Sequence, residues 1–113
     1  MKKHVLQWHI THKCNLRCKH CYQENYSDDL PFEELEKIFY KYMDFIKHYN
    51  YKPHINLTGG EPFVHKDFFK LLDLFEENNV TFGILTNGTL ITKEQIKKLS
   101  RYKMLSFIQV SID

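Results

Sequence analysis

Leu6, Trp8 and Ile10 alternate with Gln7 and His9, a period of two that predicts a first strand ending near Thr11. Residues 12–29 carry no clear period. From Pro31 onward, Phe32, Leu35, Ile38, Phe39, Tyr42, Phe45, Ile46 and Tyr49 recur at helical spacing, which predicts one long helix with an apolar face against a sheet. Pro31 suits its first turn, Glu33, Glu34 and Glu36 suit its positive end, and Lys47 and His48 its negative end. A short strand, Ile55–Leu57, leads into Thr58-Gly59-Gly60-Glu61-Pro62. Phe68, Phe69, Leu72 and Phe75 then mark a second helix stopping near Asn78-Asn79. Val80–Leu85 reads as a third strand, with Thr86-Asn87-Gly88 as its loop. Thr92 and Gln95 form a capping box for a third helix carrying Ile96 and Leu99, and Phe107–Ile112 is a fourth strand.

Strands alternating with helices predict an α/β fold with a parallel sheet. The order corresponds to about (βα)3β, a partial TIM-like barrel or part of an open sheet, because a closed eight-unit barrel takes roughly 250 residues. Asp113 stands where a strand should hand over to a loop, so residues 1–113 are expected to be a fragment, the N-terminal part of a longer core domain. Such a fragment would leave an apolar inner face and sheet edges open.

Composition narrows the function classes. With 42% hydrophobic and 27% charged residues, 4 Gly and 3 Pro, the chain is built to fold as a single unit. A net charge of +2 does not mark a nucleic-acid or membrane-surface binder. No apolar run approaches the roughly 18 residues that span a bilayer, and the N-terminus lacks a signal-peptide core, so a soluble cytoplasmic protein is expected.

In parallel α/β architectures ligands bind at the carboxyl ends of strands. Each unusual segment here follows a strand, so all should share one rim. All 3 cysteines lie in Cys14-Asn15-Leu16-Arg17-Cys18-Lys19-His20-Cys21, too close together for a disulfide framework. Thiolates favour zinc, Cu(I) or iron–sulfur. Zinc would need a fourth ligand such as His12 or His20, whereas a cluster held by three cysteines leaves one iron open.

This cysteine spacing, with His20 before the last Cys, resembles the signature of the radical S-adenosylmethionine (SAM) superfamily. Gly59-Gly60-Glu61-Pro62 is similar to that family's second motif, and Val110-Ser111-Ile112-Asp113 to its fourth-strand motif. The resemblance implies part of a (βα)6 barrel with a four-iron four-sulfur (4Fe-4S) cluster on Cys14, Cys18 and Cys21. SAM would bind the open iron, and one electron would cleave it to methionine and a 5'-deoxyadenosyl radical that abstracts a hydrogen atom. Glu61 would accept a hydrogen bond from the SAM ammonium, with Gly59 and Gly60 letting backbone carbonyls approach. His20 would meet the adenine and Ser111 the ribose or methionyl end. Thr86, Asn87 and Asp113 are further candidates for SAM or substrate.

The runs Cys14–Tyr22, Leu57–Pro62 and Leu85–Thr89 resemble the branch with a C-terminal SPASM or twitch extension, which modifies peptides and proteins. That implies a peptide or protein substrate and an external low-potential electron donor. Alternatives are a small-molecule enzyme of molybdopterin, haem or quinone cofactor synthesis, or a zinc-binding structural module. His4, His48, His54 and His65 are read as surface or helix-end residues, His9 as a strand position, and the Lys97–Lys103 charges as a solvated helix end.

Overall fold

The computed structural model describes residues 2–11, 30–59, 61–88 and 91–110. The chain alternates β1 (Lys3–His9), α1 (Phe32–Tyr49), β2 (Lys52–Thr58), α2 (Phe68–Glu77), β3 (Thr81–Thr86), α3 (Lys93–Leu99) and β4 (Leu105–Val110), with a 3-10 turn at Pro62–Val64 before α2. The strands lie in the order β1-β2-β3-β4, every neighbouring pair parallel. This is the α/β partial fold the sequence predicts, with longer β2 and earlier β4 than the apolar runs alone mark. Ile112 lies outside the described residues.

Strand alternation sorts the sheet into two faces. Trp8 pairs with Leu57 and Leu57 with Ile84, while Ile55 pairs with Phe82. These side chains are buried with Leu35, Phe39, Leu71, Leu72 and Phe75 of the helices in one core. The opposite face carries Gln7, Asn56 and Gly83 in register, then Phe107 across β3–β4. Among the described residues no helix is long and apolar enough to cross a membrane.

The apolar stripe of α1 is wider than its contact. Leu35, Phe39, Tyr42 and Ile46 are buried, whereas Ile38, Phe45 and Tyr49 on its flanks stay exposed. Asn50 ends α1 in the left-handed conformation, its N–H reaching the carbonyls of Ile46 and Lys47. The capping box opens α3 as predicted: Gln95 N–H donates to Thr92 Oγ1 at 3.2 Å and Thr92 N–H to Gln95 Oε1 at 3.1 Å.

Two histidines depart from the expected surface placement. His54 and His65 are each only 2% exposed. In the neutral ring, His54 Nε2–H donates to Asn56 Oδ1 at 2.7 Å and Nδ1 accepts from the Thr81 hydroxyl at 2.8 Å. Phe107 stacks on this imidazole, with ring centroids 5.9 Å apart and planes 18° from parallel. The polar partners on the face opposite the described helices make the burial of His54 tolerable, which β2 read strand by strand does not reveal.

Candidate active site

Parallel strands bring the carboxyl ends of β1, β2 and β3 to one edge of the sheet. After β1 the chain stays beside β2, where Ile10 N–H donates to the Thr58 carbonyl at 3.1 Å. Gly59 follows β2 with φ +144, and a Cβ there would lie 2.4 Å from the carbonyl oxygen of Thr11 and 3.2 Å from its nitrogen. Only glycine lets the second loop lie against the chain leaving β1.

Glu61 turns from this loop toward β3 and is fully buried. Its Oε1 accepts from the Thr86 hydroxyl at 2.6 Å and from Asn87 N–H at 2.7 Å. Its Oε2 lies 2.8 Å from the same hydroxyl and accepts from Phe63 N–H at 3.1 Å, which caps the 3-10 turn. Among the described residues no cation pairs with this carboxylate, so hydroxyl and amide dipoles carry its charge. Thr86 Oγ1 in turn accepts from Gly88 N–H at 3.0 Å. Gly88 has φ +80, and a Cβ there would lie 2.9 Å from Val110 Cγ1. Contacts therefore run along the rim from Thr11 through Gly59, Glu61, Thr86 and Gly88 to Val110.

The structure brings three of the expected site residues, Glu61, Thr86 and Asn87, into one hydrogen-bonded group beside Gly59. Cys14, Cys18, Cys21, His20, Gly60, Ser111 and Asp113 lie outside the described residues. Thr11 has no signal in the sequence, since its contact is set by a glycine in the loop after another strand. His65 likewise carries no sequence signal: its Nδ1 accepts from Asp67 N–H at 3.0 Å, and its Nε2 is buried without a partner among the described residues. Three soft thiols, the first of them three residues beyond Thr11 in the sequence, suit an iron–sulfur cluster in their chemistry.

The parallel α/β sheet joins the loops after β2 and β3 at its carboxyl edge, the edge at which such architectures bind ligands. The chain belongs to the radical SAM superfamily, whose sequence profile matches residues 8–113. That family uses a 4Fe-4S cluster and SAM. The chain is 36% identical over 116 residues to the Fe-coproporphyrin III synthase of Methanosarcina barkeri, covering 99% of this chain and 28% of that protein. It is 36% identical over 104 residues to the antilisterial bacteriocin subtilosin biosynthesis protein AlbA of Bacillus subtilis, covering 92% of this chain and 23% of that protein. Streptococcus suis SuiB bound to its precursor peptide SuiA superposes with a TM-score of 0.74 at 25% identity, covering 96% of this chain and 24% of SuiB. The chain thus spans about a quarter of the length of these relatives.

Proposed function

We propose that this chain is the N-terminal part of the core of a cytoplasmic radical SAM enzyme that modifies a peptide or protein substrate. Cys14, Cys18 and Cys21 would hold the 4Fe-4S cluster through three irons. SAM would lie across the rim formed by Gly59, Gly60, Glu61, Thr86 and Asn87, with His20, Ser111 and Asp113 completing its surroundings. A cluster held there and reduced by an external low-potential donor would supply the electron for SAM cleavage. The protein's own residues position the cofactors and exclude water.

The observation that carries this reading is the family match over residues 8–113, which takes in all three cysteines and both described rim loops. Similarity to AlbA and to peptide-bound SuiB supports the substrate class. Equal identity to a porphyrin synthase favours a second reading, a tetrapyrrole substrate in cofactor synthesis.

The test is anaerobic reconstitution with iron and sulfide, followed by electron paramagnetic resonance of the reduced protein with and without SAM. A cluster signal that shifts on adding SAM supports the reading, and stoichiometric zinc without iron overturns it. Mass spectrometry after turnover with a candidate precursor peptide or an iron porphyrin then separates the two substrate classes.

A further inference from the structure

The Glu61 carboxylate is turned into the protein and takes its donors there. A carboxylate offers about four acceptor positions. Thr86, Asn87 N–H and Phe63 N–H take at least three, and no part of the residue reaches the surface. The Thr86 hydroxyl has one proton, which goes to Glu61, while its oxygen accepts from Gly88 N–H. The acceptor positions left on Glu61 and Thr86 face the interior, Glu61 having no exposed surface and Thr86 only 4%, so a ligand ammonium would have to open the rim to reach either side chain. The short segment from Gly59 to Glu61 meets Thr11 at one end and Thr86 with Asn87 at the other. It thus fixes the spacing between the chain entering the cysteine segment and the loop after β3.

We infer that Glu61 and Thr86 are a positioning pair, whose hydrogen bond locks the second strand-end loop to the third and sets SAM affinity without either side chain touching SAM. The inference rests on the radical SAM reading and deepens it. A direct Glu61 contact would need its charge but not the Thr86 hydroxyl. A lock needs both, and breaking it from either side has one consequence.

Two substitutions separate these cases, measured on the anaerobically reconstituted protein. Glu61→Gln keeps the shape and removes the charge, and Thr86→Val keeps the charge and removes the donor. Each should raise the SAM Kd about tenfold, equivalent to about 1.4 kcal/mol, and the double variant should be no weaker than the worse single one. Both should leave the SAM-free reduced-cluster signal unchanged and diminish its shift on adding SAM. Thr86→Ser, which keeps the donor, should bring the Kd back to within about twofold of wild type.

A wild-type Kd in Thr86→Val overturns the inference, as does strict additivity in the double variant. A lowered Tm with unchanged Kd in both single variants also overturns it, by making the bond structural only. Should Glu61→Gln not fold, the Val and Ser variants at Thr86 decide alone, since a hydroxyl without influence on the Kd refutes the lock. A wild-type protein whose cluster signal ignores SAM fails one step earlier and removes the radical SAM reading together with the inference.

Discussion

The α-carbon of Gly59 lies so close to the chain leaving β1 that a methyl group on it would sit 2.4 Å from the carbonyl oxygen of Thr11. The obstacle is backbone, held in place by the bond from Ile10 N–H to Thr58, so it has no side-chain rotation with which to give way. The φ of +144 adds a conformational cost for any residue with a Cβ. Gly59→Ala should therefore destabilise the protein by about 2 kcal/mol or more. It should also lower the iron retained after reconstitution, because the start of the cysteine segment is displaced. Iron-to-protein ratio and Tm together check this, and a variant with full iron content and wild-type Tm would show that the contact relaxes freely.

Phe75 joins more elements than any single period reveals. It is fully buried, with ring centroids 6.3 Å from Trp8 of β1, 5.5 Å from Phe39 of α1 and 5.6 Å from Phe82 of β3. Phe75→Ala should cost about 3–5 kcal/mol through lost burial and a residual cavity. Phe75→Leu should cost clearly less, since it refills part of that volume. Denaturant unfolding measures both, and equal losses would argue against a cavity as the cause.

Most of the fold was legible because its signals are local. The alternation of Leu6, Trp8 and Ile10, the three-residue spacing of Thr92 and Gln95, and the helical spacing from Leu35 to Ile46 each lie within a few residues. The parallel direction of the strands then follows from the βα alternation. The rim contacts were not legible in this way. Glu61 and Thr86 are 25 residues apart, and nothing in either segment states that a carboxylate after one strand will take its donor from the end of the next. The family resemblance pointed to both residues as ligand-facing, and the geometry adds that they face each other. The burial of His54 is hidden from the sequence for a related reason: its partners Thr81 and Phe107 arrive from β3 and β4, so it depends on pairing across the sheet.

Glu76 fastens the entry of β4 to the end of α2. Its Oε1 accepts from Met104 N–H at 2.8 Å and its Oε2 from Lys103 N–H at 3.1 Å, while the Tyr102 hydroxyl donates to Asp73 at 2.6 Å one turn earlier. Burial is the main reason the Tyr102 phenol is held well above its ordinary range, with the Asp73 bond and the Asp73 and Glu76 charges adding to it. Glu76→Ala should cost about 1 kcal/mol, because these bonds stand partly in solvent. The loss should be local. Amide hydrogen exchange should accelerate in Leu105–Val110 more than in Lys52–Thr58, and uniform acceleration would mean that β4 is not separately anchored.

The buried imidazole of His54 gives stability a pH dependence whose sign is fixed. Burial lowers its pKa from the ordinary 6.5, the bond to Asn56 works in the opposite direction, and the charge of Lys3 on the adjoining strand lowers it further. Between the lowered folded value and 6.5 the unfolded chain binds the extra proton and the folded chain does not, so stability rises with pH across this window. The contribution is complete above 6.5 and is lost as pH falls toward the folded value. Unfolding midpoints taken from about pH 7.5 down to about pH 5.5 should therefore fall in the wild type. His54→Gln, which cannot titrate but can still hydrogen-bond, should lower stability near neutrality and flatten that slope. A slope as steep in the variant as in the wild type would assign the pH dependence to other groups.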